Sequence, residues 1–238
     1  MSGVLAHFRG IFFAAICAGV VAGGAMSVLH QVAMVPLIVQ AEVFEDAAAQ
    51  RAPHTTQAAA VPTHAEEHGP AGLNRVLLTV LADLLAGIGF ALLLSAALAL
   101  RGGSISLGLG ILWGVAGFAV FSLAPSIGLP PELPGAESAG LVARQIWWLA
   151  TVAATAGGLA LLAFGYRLAL ALVGLALIAA PHVIGAPQPI VHISVVPAEL
   201  TRSFVVGALA TNLVFWMLLG AVCVFFMRRF APAPAPVS

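Results

Sequence analysis

From Ile11 to Leu37 the chain runs without one Asp, Glu, Lys or Arg, and residues 105–123, 146–164 and 204–227 repeat the pattern. Runs of this length are about what a helix needs to cross a ~30 Å hydrocarbon layer. They constrain the fold more than anything else in the sequence. In lipid each backbone N–H and C=O must be satisfied inside the protein, which leaves helices as the economical way to span. A run over 76–100 carries a single acid, Asp83, and a shorter one covers 168–180.

Composition agrees. A soluble domain carries about 25% charged residues; here 8% are charged, 61% are hydrophobic and mean hydropathy is +1.08. The expectation is an all-α, polytopic membrane helical bundle. Six transmembrane helices over 11–37, 76–100, 105–123, 146–164, 168–180 and 204–227 would form one transmembrane domain across 1–230. Merging the fourth and fifth runs gives a five-span alternative. One helix through both would be too long for the core, so Gly165-Tyr166-Arg167 reads as a tight hairpin. The first run is nearly twice a signal peptide's apolar stretch of about 7–15 residues, which favours an uncleaved span.

Six spans put both termini on one side, and Arg101, Arg167, Arg228 and Arg229 favour the cytoplasm there. Arg51, Arg75, Arg144 and Arg202 fall opposite, so the rule is only moderately satisfied. The acids are more sharply segregated. Glu42, Glu45, Asp46, Glu66, Glu67, Glu132, Glu137 and Glu199 all belong to expected outward segments. The longest, 42–74, is rich in Ala, Pro, Thr, Gln and His and is expected to be a mobile loop. The tail 231–238 alternates Ala and Pro and is expected to be disordered.

Several chemistries are excluded. The net charge of +0 argues against nucleic acid as a partner. All basic residues are arginine, so a P-loop lysine and a Schiff-base lysine are both ruled out. Cys17 and Cys223 lie in opposite terminal spans without a CxxC partner and read as core thiols. No Ser/His/Asp order, catalytic carboxylate pair or nucleotide loop stands out. The chain is therefore read as a non-enzyme without a cofactor.

Asp83 is the one acid inside a span, and such residues are usually paired or functional. His30 and Gln31 in the first span, and Thr211 and Asn212 in the sixth, lie at a similar depth. They are candidates for one polar layer with Asp83, although interhelical hydrogen bonding alone would account for them. His54, His64 and His68 in the long loop suit transient metal capture. His64 and His68 have the i, i+4 interval, but Ala65 stands where the HExxH protease motif needs glutamate, and Pro62 and Gly69-Pro70 oppose a helix. His182 and His192 with Glu199 offer imidazole and carboxylate, which suit nickel, cobalt and zinc. Gly19/Gly23 and Gly110/Gly114 mark close helix approaches. Each outward segment also offers a proline, a glutamate and an arginine: Pro36, Glu42, Arg75; Pro131, Glu132, Arg144; Pro197, Glu199, Arg202. Three related hairpins around a shared vestibule would produce that recurrence.

Longer strings carry a family likeness. Pro36-Leu37-Ile38 leads to Ala41-Glu42 and Phe44-Glu45. Pro130-Pro131-Glu132-Leu133-Pro134-Gly135 leads to Arg144-Gln145 and Trp147-Trp148. Pro181-His182, Gly185-Ala186-Pro187 and Pro197-Ala198-Glu199-Leu200 follow. The pattern resembles the CbtA family of predicted cobalt transporter subunits, over all the spans but not over 47–72 or the tail. The resemblance implies multi-pass residence in the bacterial inner membrane and cobalt uptake serving cobalamin synthesis. It also implies a small one-span partner, CbtB. The matching positions able to bind metal are Glu42, Glu45, Glu132, His182 and Glu199; His30, Asp83 and His192 are candidates from the residues themselves. The leading expectation is a subunit for divalent transition-metal uptake, with Co2+ as cargo captured at an acidic, histidine-bearing outer vestibule. The alternative is a non-conducting membrane scaffold for a small partner.

Overall fold

The computed structural model describes residues 2–51, 70–189 and 195–230. Among them every regular element is helical. The elements are α1 (Ser2–Leu29), a π-helical turn π1 (His30–Met34), α2 (Val35–Arg51), α3 (Pro70–Arg101) and α4 (Leu107–Phe118). A second π turn, π2 (Ala119–Leu123), leads to α5 (Ala124–Gly128), α6 (Leu141–Phe164), α7 (Leu168–Ile184) and α8 (Ala198–Arg229).

Five helical stretches are long and apolar enough to cross a bilayer: Phe8–Gln50, Leu73–Arg101, Leu107–Gly128, Leu141–Phe164 and Ala198–Arg229. Leu168–Ile184, expected as the fifth span, is apolar but has 17 residues, about 25 Å of helix. The hairpin expected at Gly165–Arg167 is present, with α6 and α7 packed together.

Boundaries differ most at the first span. Leu29 and Val35 keep right-handed helical dihedrals, so α1, π1 and α2 form one continuous rod. Its stretch Phe8–Gln50 has 43 residues and is about 65 Å long, twice a hydrocarbon core. Residues 42–51, expected in a loop, are therefore helical. The stretch is rich in Ala, Glu and Gln, good helix formers that a hydropathy reading passes over. The 70–74 end of the same expected loop is the first turn of α3.

Both π turns end two residues before a proline, Met34 before Pro36 and Leu123 before Pro125. Proline supplies no N–H to the preceding turn and crowds the carbonyl four residues back. Widening that turn to i→i+5 bonding relieves the crowding, and Val35 N–H duly reaches the His30 carbonyl. At the other end of the bundle, Gly102 and Gly103 take φ of 68° and 74° to turn α3 into α4. Ser106 then caps α4 by accepting from the Leu109 N–H at 3.2 Å.

Three glycine seams hold the bundle. On α1/α3, a Cβ at Gly23 would lie 2.6 Å from the Asp83 carbonyl oxygen, and one at Gly87 would lie 2.5 Å from the Gly19 carbonyl oxygen. On α4/α8, Gly110 meets Gly220 and Gly114 meets the Trp216 backbone. On α6/α7, a Cβ at Gly158 would lie 2.6 Å from the Gly174 carbonyl oxygen. All three pairs are antiparallel. Gly10 also abuts Phe230 and Gly207 abuts Met34, so α1 and α8 run antiparallel too.

These contacts place the N-terminal helix start and the end of α8 together, with Arg9, Arg101, Arg167, Arg228 and Arg229. We call this the arginine end. Every described acid except Asp83 lies towards the other, acidic end. The pairing differs from three sequential hairpins. The first and second spans do pack side by side, but the third packs on the sixth and the fourth on the fifth.

The main core joins Ala15, Ala18, Ala22 and Met26 of α1, Leu94 and Leu98 of α3, and Trp216, Leu219 and Cys223 of α8. Cys223 is wholly buried and Cys17 half-buried. The outward face of α3 is apolar as well: Leu77, Leu81, Leu85 and Leu93 are exposed, and Leu100 is 89% exposed. Such a stripe is a liability in water and the expected boundary in lipid.

A side chain at Gly220 cannot be placed without separating α4 from α8. Gly220→Val is expected to lower the unfolding midpoint in detergent and to cost about 1–3 kcal/mol or more. An unchanged melting curve would show that this seam is not tight.

Candidate functional site

Asp83 sits at the tightest part of the α1/α3 seam. Its carboxylate Oδ2 is 3.0 Å from His30 Nδ1, with side-chain exposures of 12% and 28%. The glycines bring this pair together. His30 follows Gly23 by two turns and Asp83 precedes Gly87 by one turn, so each shares a helix face with the glycine that lets the backbones approach. Asp83 lies 101 − 83 = 18 residues before Arg101, about 27 Å along the helix. That depth is near the acidic-end edge of a ~30 Å core, where an ionisable group costs less than at mid-bilayer.

A second polar pair lies at a similar height. Ser122 Oγ donates to Asn212 Oδ1 at 3.3 Å, and Asn212 Nδ2 donates to the Ala208 carbonyl at 3.0 Å. Asn212 is 228 − 212 = 16 residues before Arg228, about 24 Å of helix. Thr211 bonds back to the Gly207 carbonyl of its own helix at 2.9 Å. The polar layer therefore exists as two pairs, each joining a π turn to a neighbouring helix. Towards the arginine end an aromatic cluster follows. Trp216 stacks on Phe121 at 5.5 Å and tilts against Phe90 at 4.8 Å, with Phe215 edge-on to Trp216.

At the acidic end three segments meet. Ala41 of α2, Leu133 of the α5–α6 loop and Val196 before α8 form a small buried cluster, flanked by Ile38, Leu200 and Phe204. Carboxylates lie around this cap. Glu42 pairs with Arg75 at 2.9 Å, and Glu132 pairs with Arg144 at 3.0 Å while accepting from Ser138. Glu45 packs beside Gly135. Glu199 opens α8, and its backbone carbonyl accepts from Ser203. Two of the three recurrent glutamate–arginine sets are thus ion pairs. Among the described residues no ion pair joins Glu199 to Arg202, and no three His, Cys, Asp or Glu side chains gather to hold a metal.

His182 occupies the last turn of α7, edge-on to Trp147 at 6.0 Å, while Trp147 Nε1 donates to the Pro181 carbonyl at 3.3 Å. Both ring nitrogens of His182 are buried and, among the described residues, without a hydrogen-bond partner. His54, His64, His68 and His192 lie outside the described residues. Sequence reasoning passed over Ser122, Gly87, Gly220, Gly158 and Gly174. The prolines at 36 and 125 were the available signal for the π turns.

The fold and these sites define a multi-pass α-helical membrane protein with a histidine–carboxylate pair in its bundle. The chain belongs to the family described as probable cobalt transporter subunit (CbtA), which matches residues 8–228. A subunit role implies a partner, and a transporter subunit points to a non-enzymatic role. No curated protein and no solved structure matches the chain.

Leaving a buried polar group unpaired costs about 1–3 kcal/mol. His182→Leu is therefore expected to raise the unfolding midpoint of the purified chain. A lowered midpoint would show that the imidazole has a partner in the folded protein.

Proposed function

We propose that the chain is the membrane subunit of a cobalt-uptake system in the bacterial inner membrane. The acidic end faces outward and both termini face the cytoplasm. Glu42, Glu45, Glu132 and Glu199, joined by His54, His64, His68 and His192, concentrate divalent cations there. The ion then passes the polar layer at His30 and Asp83, and a small one-span CbtB-like subunit completes the transporter. One observation carries this reading: the acid inside the spans, Asp83, is held against an imidazole where the glycine seam meets the acidic end. An imidazole beside a carboxylate suits borderline divalent metals more than magnesium or calcium.

Energy is not an obstacle. A potential of about 100 mV, negative inside, contributes about 2.3 kcal/mol per charge and roughly twice that for a divalent ion. Entry also needs the aromatic cluster around Trp216 to part, since it lies on the arginine side of the layer.

A non-conducting scaffold is the second reading. It is favoured by the pairing of Glu42 with Arg75 and Glu132 with Arg144, which satisfies those charges internally. Radioactive cobalt accumulation in cells expressing the chain, with and without a one-span partner, separates the two. Uptake is expected with the partner and is expected to fall to background in Asp83→Ala at equal expression. No accumulation in either case, despite good expression, would leave the scaffold. For orientation, a reporter fused at Gly135 is expected outside the cytoplasm; cytoplasmic activity would invert the topology.

A further inference from the structure

His30 and Asp83 make different contributions to one site. An ionised carboxylate only accepts hydrogen bonds, so contact with Oδ2 at 3.0 Å puts the imidazole proton on Nδ1. The Nε2 lone pair is then left free, and among the described residues no hydrogen bond reaches it. The ring is 28% exposed while the carboxylate is 12% exposed. The histidine is thus the more accessible group, and the acid lies behind it against the glycine seam. Carboxylate–histidine pairing of this kind orients metal-binding imidazoles.

We propose that His30 Nε2 is the direct donor to a borderline divalent metal ion and that Asp83 is a positioning residue rather than a ligand. This rests on the transport reading only for its biological direction. With Asp83 engaged by Nδ1, the site would offer one protein nitrogen and be completed by water or neutral oxygens. Such a site holds an ion briefly, as a transfer station must. Imidazole nitrogen favours cobalt, nickel or zinc over magnesium. Asp83 acts through charge and orientation, so replacing it changes metal affinity without removing the donor atom.

The test is site-resolved protection of the full-length chain in detergent. Diethylpyrocarbonate modifies accessible imidazole nitrogens, and peptide mass spectrometry reads His30 separately from the other histidines. Co2+ is expected to protect His30 and Mg2+ is not. Asp83→Asn keeps an acceptor oxygen but loses the charge, and is expected to need about 10–100-fold more Co2+ for the same protection. Unaltered protection in Asp83→Asn would remove the positioning role. Failure of Co2+ to protect wild-type His30, or equal protection by Mg2+, would overturn the site itself. The wild-type comparison decides the site even if the variant does not fold. Cobalt uptake in cells without His30 protection would sink this site and spare the transport reading; protection without uptake would do the reverse.

Discussion

Close backbone approach through glycine is the constraint on which the bundle depends. Between two helices in lipid there is little hydrophobic gain, because acyl chains are as apolar as leucine. Association relies on van der Waals contact and a few interhelical hydrogen bonds. Each seam here removes a Cβ where the backbones cross: Gly19, Gly23 and Gly87 on the first, Gly110, Gly114 and Gly220 on the second, Gly158 and Gly174 on the third. The broad outer surface of leucine, valine and phenylalanine is left to the membrane.

The polar chemistry is subordinate to that packing. His30 meets Asp83 because glycines one and two turns away let the helices close. Ser122 meets Asn212 where α4 and α8 leave their own glycine contact. Both meetings occur at about the same height, above an aromatic cluster and below an apolar cap. Ionisable and amide groups are thereby confined to a thin level of an otherwise apolar interior. That confinement keeps their cost tolerable and their geometry fixed.

Much of this was legible in the amino-acid order, and the exceptions have physical causes. Uncharged runs located the spans, because length and apolarity are what a bilayer selects. Asp83 stood out as the lone acid in such a run. The recurrence singled out Glu42 with Arg75 and Glu132 with Arg144, but neither that they pair nor which helices would pack together. Sequential hairpins are the simplest guess, whereas seam contacts join the third span to the sixth. The helix of the first span runs on past Leu37 to Arg51 because Glu42–Arg51 is polar yet strongly helix-forming. His30 was grouped with Asp83 in one polar layer, but which members would pair was beyond reach, since facing depends on helical phase, and π1 begins at that residue.

That phase has a consequence of its own. One residue more in a turn rotates everything beyond it by about 100° relative to an uninterrupted α-helix. The rod from Ser2 to Arg51 thus presents one azimuth to α3 within the bundle and another, past Met34, to Leu133 and Val196 at its tip. Winding π1 up as ordinary α-helix, with no residue removed, would leave hydropathy and span length almost untouched. It would nevertheless turn the tip away from its neighbours, as a key cut correctly and inserted a quarter-turn out.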